Sequence, residues 1–351
     1  MTDRDQAQLH QVATFDHQVT GVSVSKGGRI FVNFPRWTED AAVSVAELMK
    51  DGQLRPYPND EWNSWRNSRK NEISPNDHWV CVQSVVADQK GNLWVLDPAA
   101  PANSFLVQGG PKLVRIDLAS NTVAQTIAFD ETSAPQGTYL NDVRFSHDGK
   151  QAYITDSGVR GAIIVVDLQT GKARRTLDGH PSTQMEKDVV VKTDGKPLHQ
   201  TDGRPVAFSA DGIAMSPDGQ TLYWQALTGK TLYRIPTAAL DNAQLSATDL
   251  AAKVERVGVN GVADGLWMDE KGRMYITSPE EDAVKIRDNT GGKLAEPTIL
   301  VQDKRLRWPD TFSEGPDGSI YFTTSHIQDM SWFKPENGVQ IKTQLWQITM
   351  K

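Results

Sequence analysis

A glycine at a tight turn, flanked by strand-like residues, recurs six times in this 351-residue chain, at Gly28, Gly91, Gly149, Gly219, Gly272 and Gly318. The spacings are 63, 58, 70, 53 and 46 residues. Soon after each glycine comes an apolar residue and then an aromatic: Phe31, Trp94, Tyr153, Tyr223, Tyr275 and Tyr321. Each copy reads as a β-hairpin, because glycine at the turn supplies positive φ without steric cost and the second strand carries a β-branched or aromatic face. A hairpin cannot bury its faces alone. Six of them, each followed by further strand candidates such as KLVRIDL and AIIVVDL, predict a closed ring of four-stranded antiparallel sheets.

The expected fold is therefore an all-β, six-bladed β-propeller forming a single domain over 1–351. Closure requires both chain ends in the last blade, and LHQVATF near the start and TQLWQITM at the end are the expected partners. The segment VSVAELMKDG reads equally as strand or helical turn, and PTAALDNAQLSATDLAAKV has room for one or two helical turns. The long gap at about 178–208 is read as an insertion holding an extra hairpin.

Composition narrows the partners. The formal charge is −7, from 44 acidic and 37 basic residues with no basic block, so neither nucleic acid nor an anionic membrane is an expected partner. No apolar run reaches the length of a membrane span, and the first 20 residues are too polar for a signal-peptide core. The expectation is a soluble monomer acting on a small molecule, cytoplasmic as given and periplasmic or secreted if a leader was removed. Cys81, the only cysteine, excludes an intrachain disulfide and reads as a small buried hydrophobe in WVCVQSVV.

The residues eight positions before the anchor glycines are Thr20, Gln83, Asn141, Asp211, Asp264 and Asp310, and all are polar. In a propeller they start the innermost strands, so they are expected as a ring at one end of the channel. Converging carboxylates raise one another's pKa unless a cation or a shared proton compensates. Oxygen donors of this kind suit Ca²⁺, Mg²⁺ or Mn²⁺, with Asn141, Asp211 and Asp264 as the expected ligands. The competing reading of each Asp-Gly pair is turn chemistry alone.

Asp211, Asp264, Asp310 and His326 are the candidate catalytic groups, and Thr20, Gln83, Asp142, Trp62 and Trp332 the candidate substrate contacts. His326 reads equally as a hydrogen-bonded loop histidine, and Trp62 and Trp332 equally as packing residues. Strand alternation is expected to point Arg144 away from Asp142, toward a neighbouring blade or the channel, and pairing with an acidic residue is the preferred reading. No GxSxG, HExxH or P-loop occurs.

The strings TGVSVSKGGRIFVNFPRW, VQSVVADQKGNLWVLDPA, PKLVRIDLASNTV, YLNDVRFSHDGKQAYITDSG and RLRWPDTF resemble the bacterial branch of the yellow/major royal jelly protein family, from about Val19 to Trp346. The resemblance implies a six-bladed propeller related in architecture to the gluconolactonase/regucalcin lactonases, which hold a divalent metal at the channel mouth. It also implies varied functions, including dopachrome conversion and the binding of biogenic amines. Asn141 and Asp211 match the lactonase Asn and Asp ligands, whereas Thr20 stands where those enzymes have Glu. Three functions follow as expectations: metal-assisted hydrolysis of a lactone-like ring, a dopachrome-type tautomerase, and a non-catalytic module binding an aromatic or cationic ligand.

Overall fold

The computed structural model describes residues 7–101 and 105–350. The fold is a single-domain, all-β, six-bladed β-propeller. Six sheets have four strands each, ordered from the innermost strand outward along the chain in five blades. The sixth is built from both chain ends, with Ala7–Phe15 outermost against Thr343–Met350, then Ile320–Thr324, then Pro309–Glu314. Residue Ala7 pairs with Met350 and Phe15 with Thr343. The closure expected from LHQVATF and TQLWQITM is thus present.

The chain packs as two compact units, residues 1–140 with 310–351, and residues 141–309. The first holds blades one, two and six; the second holds blades three, four and five. VSVAELMKDG contributes the strand Val45–Leu48, so the strand option applies there. PTAALDNAQLSATDLAAKV folds as two short helices, Thr237–Asp241 and Ala247–Ala251. The segment between blades three and four carries a 3₁₀ turn at Pro181–Thr183 and a two-stranded hairpin, Lys192–Thr193 with Lys196–Pro197.

All six anchor glycines take positive φ, from +70° to +82°. Aspartates reinforce five of the turns: the Oδ1 atoms of Asp88, Asp148, Asp218, Asp269 and Asp317 each accept the backbone N–H two residues on, at 2.8–3.0 Å. The aromatic that follows each glycine is a packing device. Phe31 of blade one lies in a cluster with Val85, Leu93 and Val95 of blade two. Tyr153 of blade three packs with Ile213, Leu222 and Trp224 of blade four, and Tyr223 of blade four with Leu266, Met274 and Ile276 of blade five. Full burial of one such ring is worth about 1.5–3 kcal/mol, so each of these contacts helps to join one blade to the next.

Candidate functional site

The six mouth positions are all buried, with exposures between 0% and 8%. In the second unit three of them meet. Asn141 is the second residue of the inner strand of blade three, Asp211 the second of that of blade four, and Asp264 lies two residues before that of blade five. The Nδ2 of Asn141 donates to Asp211 Oδ2 at 3.1 Å and to Ser157 Oγ at 3.0 Å. The Asp211 carboxylate lies close enough to the Asp264 carboxyl to act on its ionisation. Trp308 Nε1 donates to Asp264 Oδ2 at 2.7 Å.

Two features of the sequence place these carboxylates together. Threonines on the second strands hold the backbone at the mouth: Thr155 Oγ1 donates to the Asp211 carbonyl at 2.6 Å, and Thr277 Oγ1 accepts the N–H groups of Asp264 and Gly265 at 2.9 Å. Gly212 permits the close approach of blades four and five. A Cβ on Gly212 would stand 2.4 Å from the Asp264 carbonyl oxygen and 2.9 Å from Leu266 Cγ. The Asp-Gly at 211–212 is therefore not a turn; the glycine lies inside the strand Ala210–Met215 and is there for contact between strands.

Burial, and after it the charge of Asp211, drives the Asp264 carboxyl well above the ordinary carboxylate range. The Trp308 N–H opposes that shift, and the Asp142 carboxylate adds to it. Two neighbouring buried carboxylates resist ionising together, and Asp264 is the one whose carboxyl is pushed up.

This shift has a measurable consequence. Unfolded, the Asp264 carboxyl titrates at about 3.9; folded, it keeps its proton to higher pH. Its contribution to stability is present in full below the unfolded value and is lost as pH rises through the folded one, at up to about 1.4 kcal/mol per pH unit. Asp264→Asn retains a donor for Asp211 and an acceptor for Trp308 but cannot ionise. The variant should gain on the wild type as pH is raised above about 4. Urea denaturation across pH 4–8, with equal slopes for both proteins, would refute the raised pKa.

A hard cation is poorly served by this arrangement. Asn141 directs its N–H₂ group, not its oxygen, to Asp211 and Ser157. Among the described residues no group of three or more His, Cys, Asp or Glu is placed to hold a metal ion. Thr20 donates its hydroxyl to the Gln83 carbonyl at 3.0 Å and accepts from Asn33 Nδ2 at 2.9 Å. The expected ligands Asn141, Asp211 and Asp264 are brought together, with the Asn141 amide N–H₂ directed at Asp211.

Asp142 and Arg144 form a buried ion pair beside the cluster, Arg144 Nη1 to Asp142 Oδ2 at 3.1 Å. The expectation that Arg144 points away from Asp142 is corrected: residues i and i+2 of a strand share a face, so the two side chains meet. Arg144 also donates to the Leu266 carbonyl at 3.0 Å and lies over the Trp267 ring at 5.2 Å.

The remaining candidates lie in the first unit. Gln83 Oε1 accepts from Tyr139 Oη at 2.6 Å, and Tyr139 Oη accepts from Trp37 Nε1 at 2.8 Å. Trp332 faces Trp37 with ring centres 6.0 Å apart. Trp62 lies against Trp79, with ring centres 4.4 Å apart and planes tilted by 42°, and packs against the blade-one and blade-two core. Asp310 Oδ1 accepts from Thr311 Oγ1 at 2.9 Å. His326 has φ +51° and is engaged by Gln344 Oε1 at 2.8 Å and Asp329 Oδ2 at 3.4 Å. Cys81 is fully buried and burial pushes its thiol up, as suits a core residue.

Among solved structures the chain is similar to a gluconolactonase from Xanthomonas campestris, at 13% identity and TM-score 0.55 over 98% of this chain and 90% of that one. It is similar to a calcium-binding regucalcin from Agrobacterium tumefaciens, at 15% and 0.54 over 97% and 96%. Virginiamycin B lyase from Staphylococcus aureus follows at 14% and 0.52, over 99% and 100%. At these identities the likeness is one of fold. No helix among the described residues is long and apolar enough to cross a membrane. No curated protein matches the chain in sequence. A family pattern does: that of the major royal jelly protein matches residues 80–323, and since this is well over half of the chain, the protein belongs to the major royal jelly protein family.

Proposed function

We propose that this protein is a small-molecule enzyme that opens a lactone-like ring by acid–base chemistry, with Asp211 as the base and Asp264 as the acid. The observation that carries the reading is the buried pair of aspartates, Asp211 and Asp264, in which burial and the neighbouring charge push the Asp264 carboxyl up. Pairs of titratable groups whose environments push their pKa values apart are the usual signature of an acid and a base working together. Asp211 removes a proton from a water molecule entering with the substrate, and the water oxygen bonds to the lactone carbonyl carbon. Asp264 gives its proton to the carbonyl oxygen. When the ring C–O bond breaks, the proton held by Asp211 passes to the departing ring oxygen and the acid regains its own from the collapsing intermediate, so a hydroxy acid leaves and the pair is restored. The relatives of known activity, a gluconolactonase among them, are consistent with a small-molecule substrate.

A tautomerase is the second reading, favoured by the low exposure of the pair, 3% for Asp211 and 6% for Asp264, since moving a proton within one substrate needs no water. A panel of five- and six-membered lactones followed by acid release, beside dopachrome followed by absorbance, separates the two. Turnover that persists in excess chelator is expected. Turnover that vanishes with chelator and returns with Ca²⁺ or Mn²⁺ would replace the proton-based mechanism by a metal-assisted one, and no turnover on either panel would leave the binding-module reading.

A further inference from the structure

Trp308 has a backbone that a large side chain rarely adopts. It is fully buried with φ +54°, in the left-handed region, and the next residue is Pro309. For a bulky residue this is a true outlier, and such conformations persist only where the surroundings over-determine them. The segment is held on both sides. Arg307 makes a two-bonded pair with Asp194 at 3.0 Å per bond, tying it to the hairpin between blades three and four. On the other side, the Trp308 indole N–H reaches Asp264 Oδ2 at 2.7 Å.

Indole is a donor only, so it needs an oxygen with a free lone pair. In a neutral carboxyl the carbonyl-type oxygen is the better acceptor. A donor fixed on Oδ2 therefore leaves the acid proton on Oδ1 and fixes the torsion of the carboxyl group.

We infer that Trp308 is a positioning residue for the acid, its strained backbone holding Asp264 by Oδ2 so that Oδ1–H alone faces Asp211. The inference rests on the acid–base reading for its catalytic consequence but not for its geometry. Without the indole N–H the carboxyl can rotate and carry its proton on either oxygen, and only one of those arrangements serves the base.

Trp308→Phe keeps the buried ring and deletes the donor. With whichever lactone the wild type turns over best, kcat should fall about tenfold or more while KM changes less than about twofold, as for a lost hydrogen bond to a reacting group. Trp308→His, which restores an N–H, should recover part of kcat. A readout independent of turnover is the ¹³C resonance of the Asp264 carboxyl. Because the indole bond favours the ionised form, its titration midpoint should move up in Trp308→Phe. In the wild type alone, the indole ¹⁵N–¹H resonance of Trp308 should move downfield as Asp264 ionises. An unmoved midpoint, or an indole resonance indifferent to pH, would overturn the assignment even if lactones are hydrolysed. A moved midpoint without any turnover would uphold the positioning role and sink the hydrolase reading instead.

Discussion

Replacing Asp211 by Asn is expected to lower kcat/KM on the best lactone by about 10²–10⁴-fold, the usual contribution of a general base. The variant should still fold. An amide at 211 offers Asn141 Nδ2 the same acceptor oxygen it now finds at 3.1 Å, and the strand is held at this residue by Thr155 through the backbone carbonyl. It also removes the charge next to Asp264 that helps to keep that carboxyl protonated. Steady-state kinetics beside thermal melting decide the matter: a melting temperature within a few degrees of the wild type together with turnover within about fivefold would show that Asp211 is not the base. Thr20→Ala makes a contrasting variant. Its hydroxyl joins Asn33 to the Gln83 carbonyl, so loss of stability rather than weaker substrate binding is the expected result.

The architecture was legible because it is repeated. Six glycines at positive φ, aromatics such as Phe31, Tyr153 and Tyr223 packing on the next blade, and two end strands that need each other are local signals that the fold uses locally. Part of the site was legible for the same reason: symmetry puts Asn141, Asp211 and Asp264 in one register, and the structure joins them. What symmetry does not encode was missed. The string RLRWPDT gives no sign that Trp308 turns back onto Asp264, because the residues are 44 apart and the contact depends on a φ that a bulky residue normally avoids. Gly212 was visible but suggested a turn, since Asp-Gly in a single strand cannot announce the carbonyl of the neighbouring blade. The surroundings of Trp62 and His326 were not legible either: the first ring lies against Trp79 and the second is bonded to Gln344 beside Asp329, contacts that neither string announces.

The same close approach supplies a second variant with a large expected effect, Gly212→Ala. One added methyl group would lie 2.4 Å from the Asp264 carbonyl oxygen, and a backbone atom in a sheet cannot swing aside as a side chain can. The inner strands of blades four and five must separate, at a cost of about 1–3 kcal/mol for overpacking of this kind. Gly27→Ala is the matching control, because a Cβ there meets nothing nearer than Ser25 Oγ at 3.9 Å; its effect should stay within about 0.5 kcal/mol. Separation of the strands also moves the Asp211 carboxylate away from Asp264, so two observables should change together. The urea midpoint of Gly212→Ala should drop, and the decline of its stability with rising pH should become shallower than in the wild type, since the raised pKa of Asp264 depends in part on that neighbouring charge. A lower midpoint with an unchanged pH slope would mean that burial alone keeps Asp264 protonated. In that case the glycine serves packing only, and the contact between the two carboxylates is not what sets the acidity of the site.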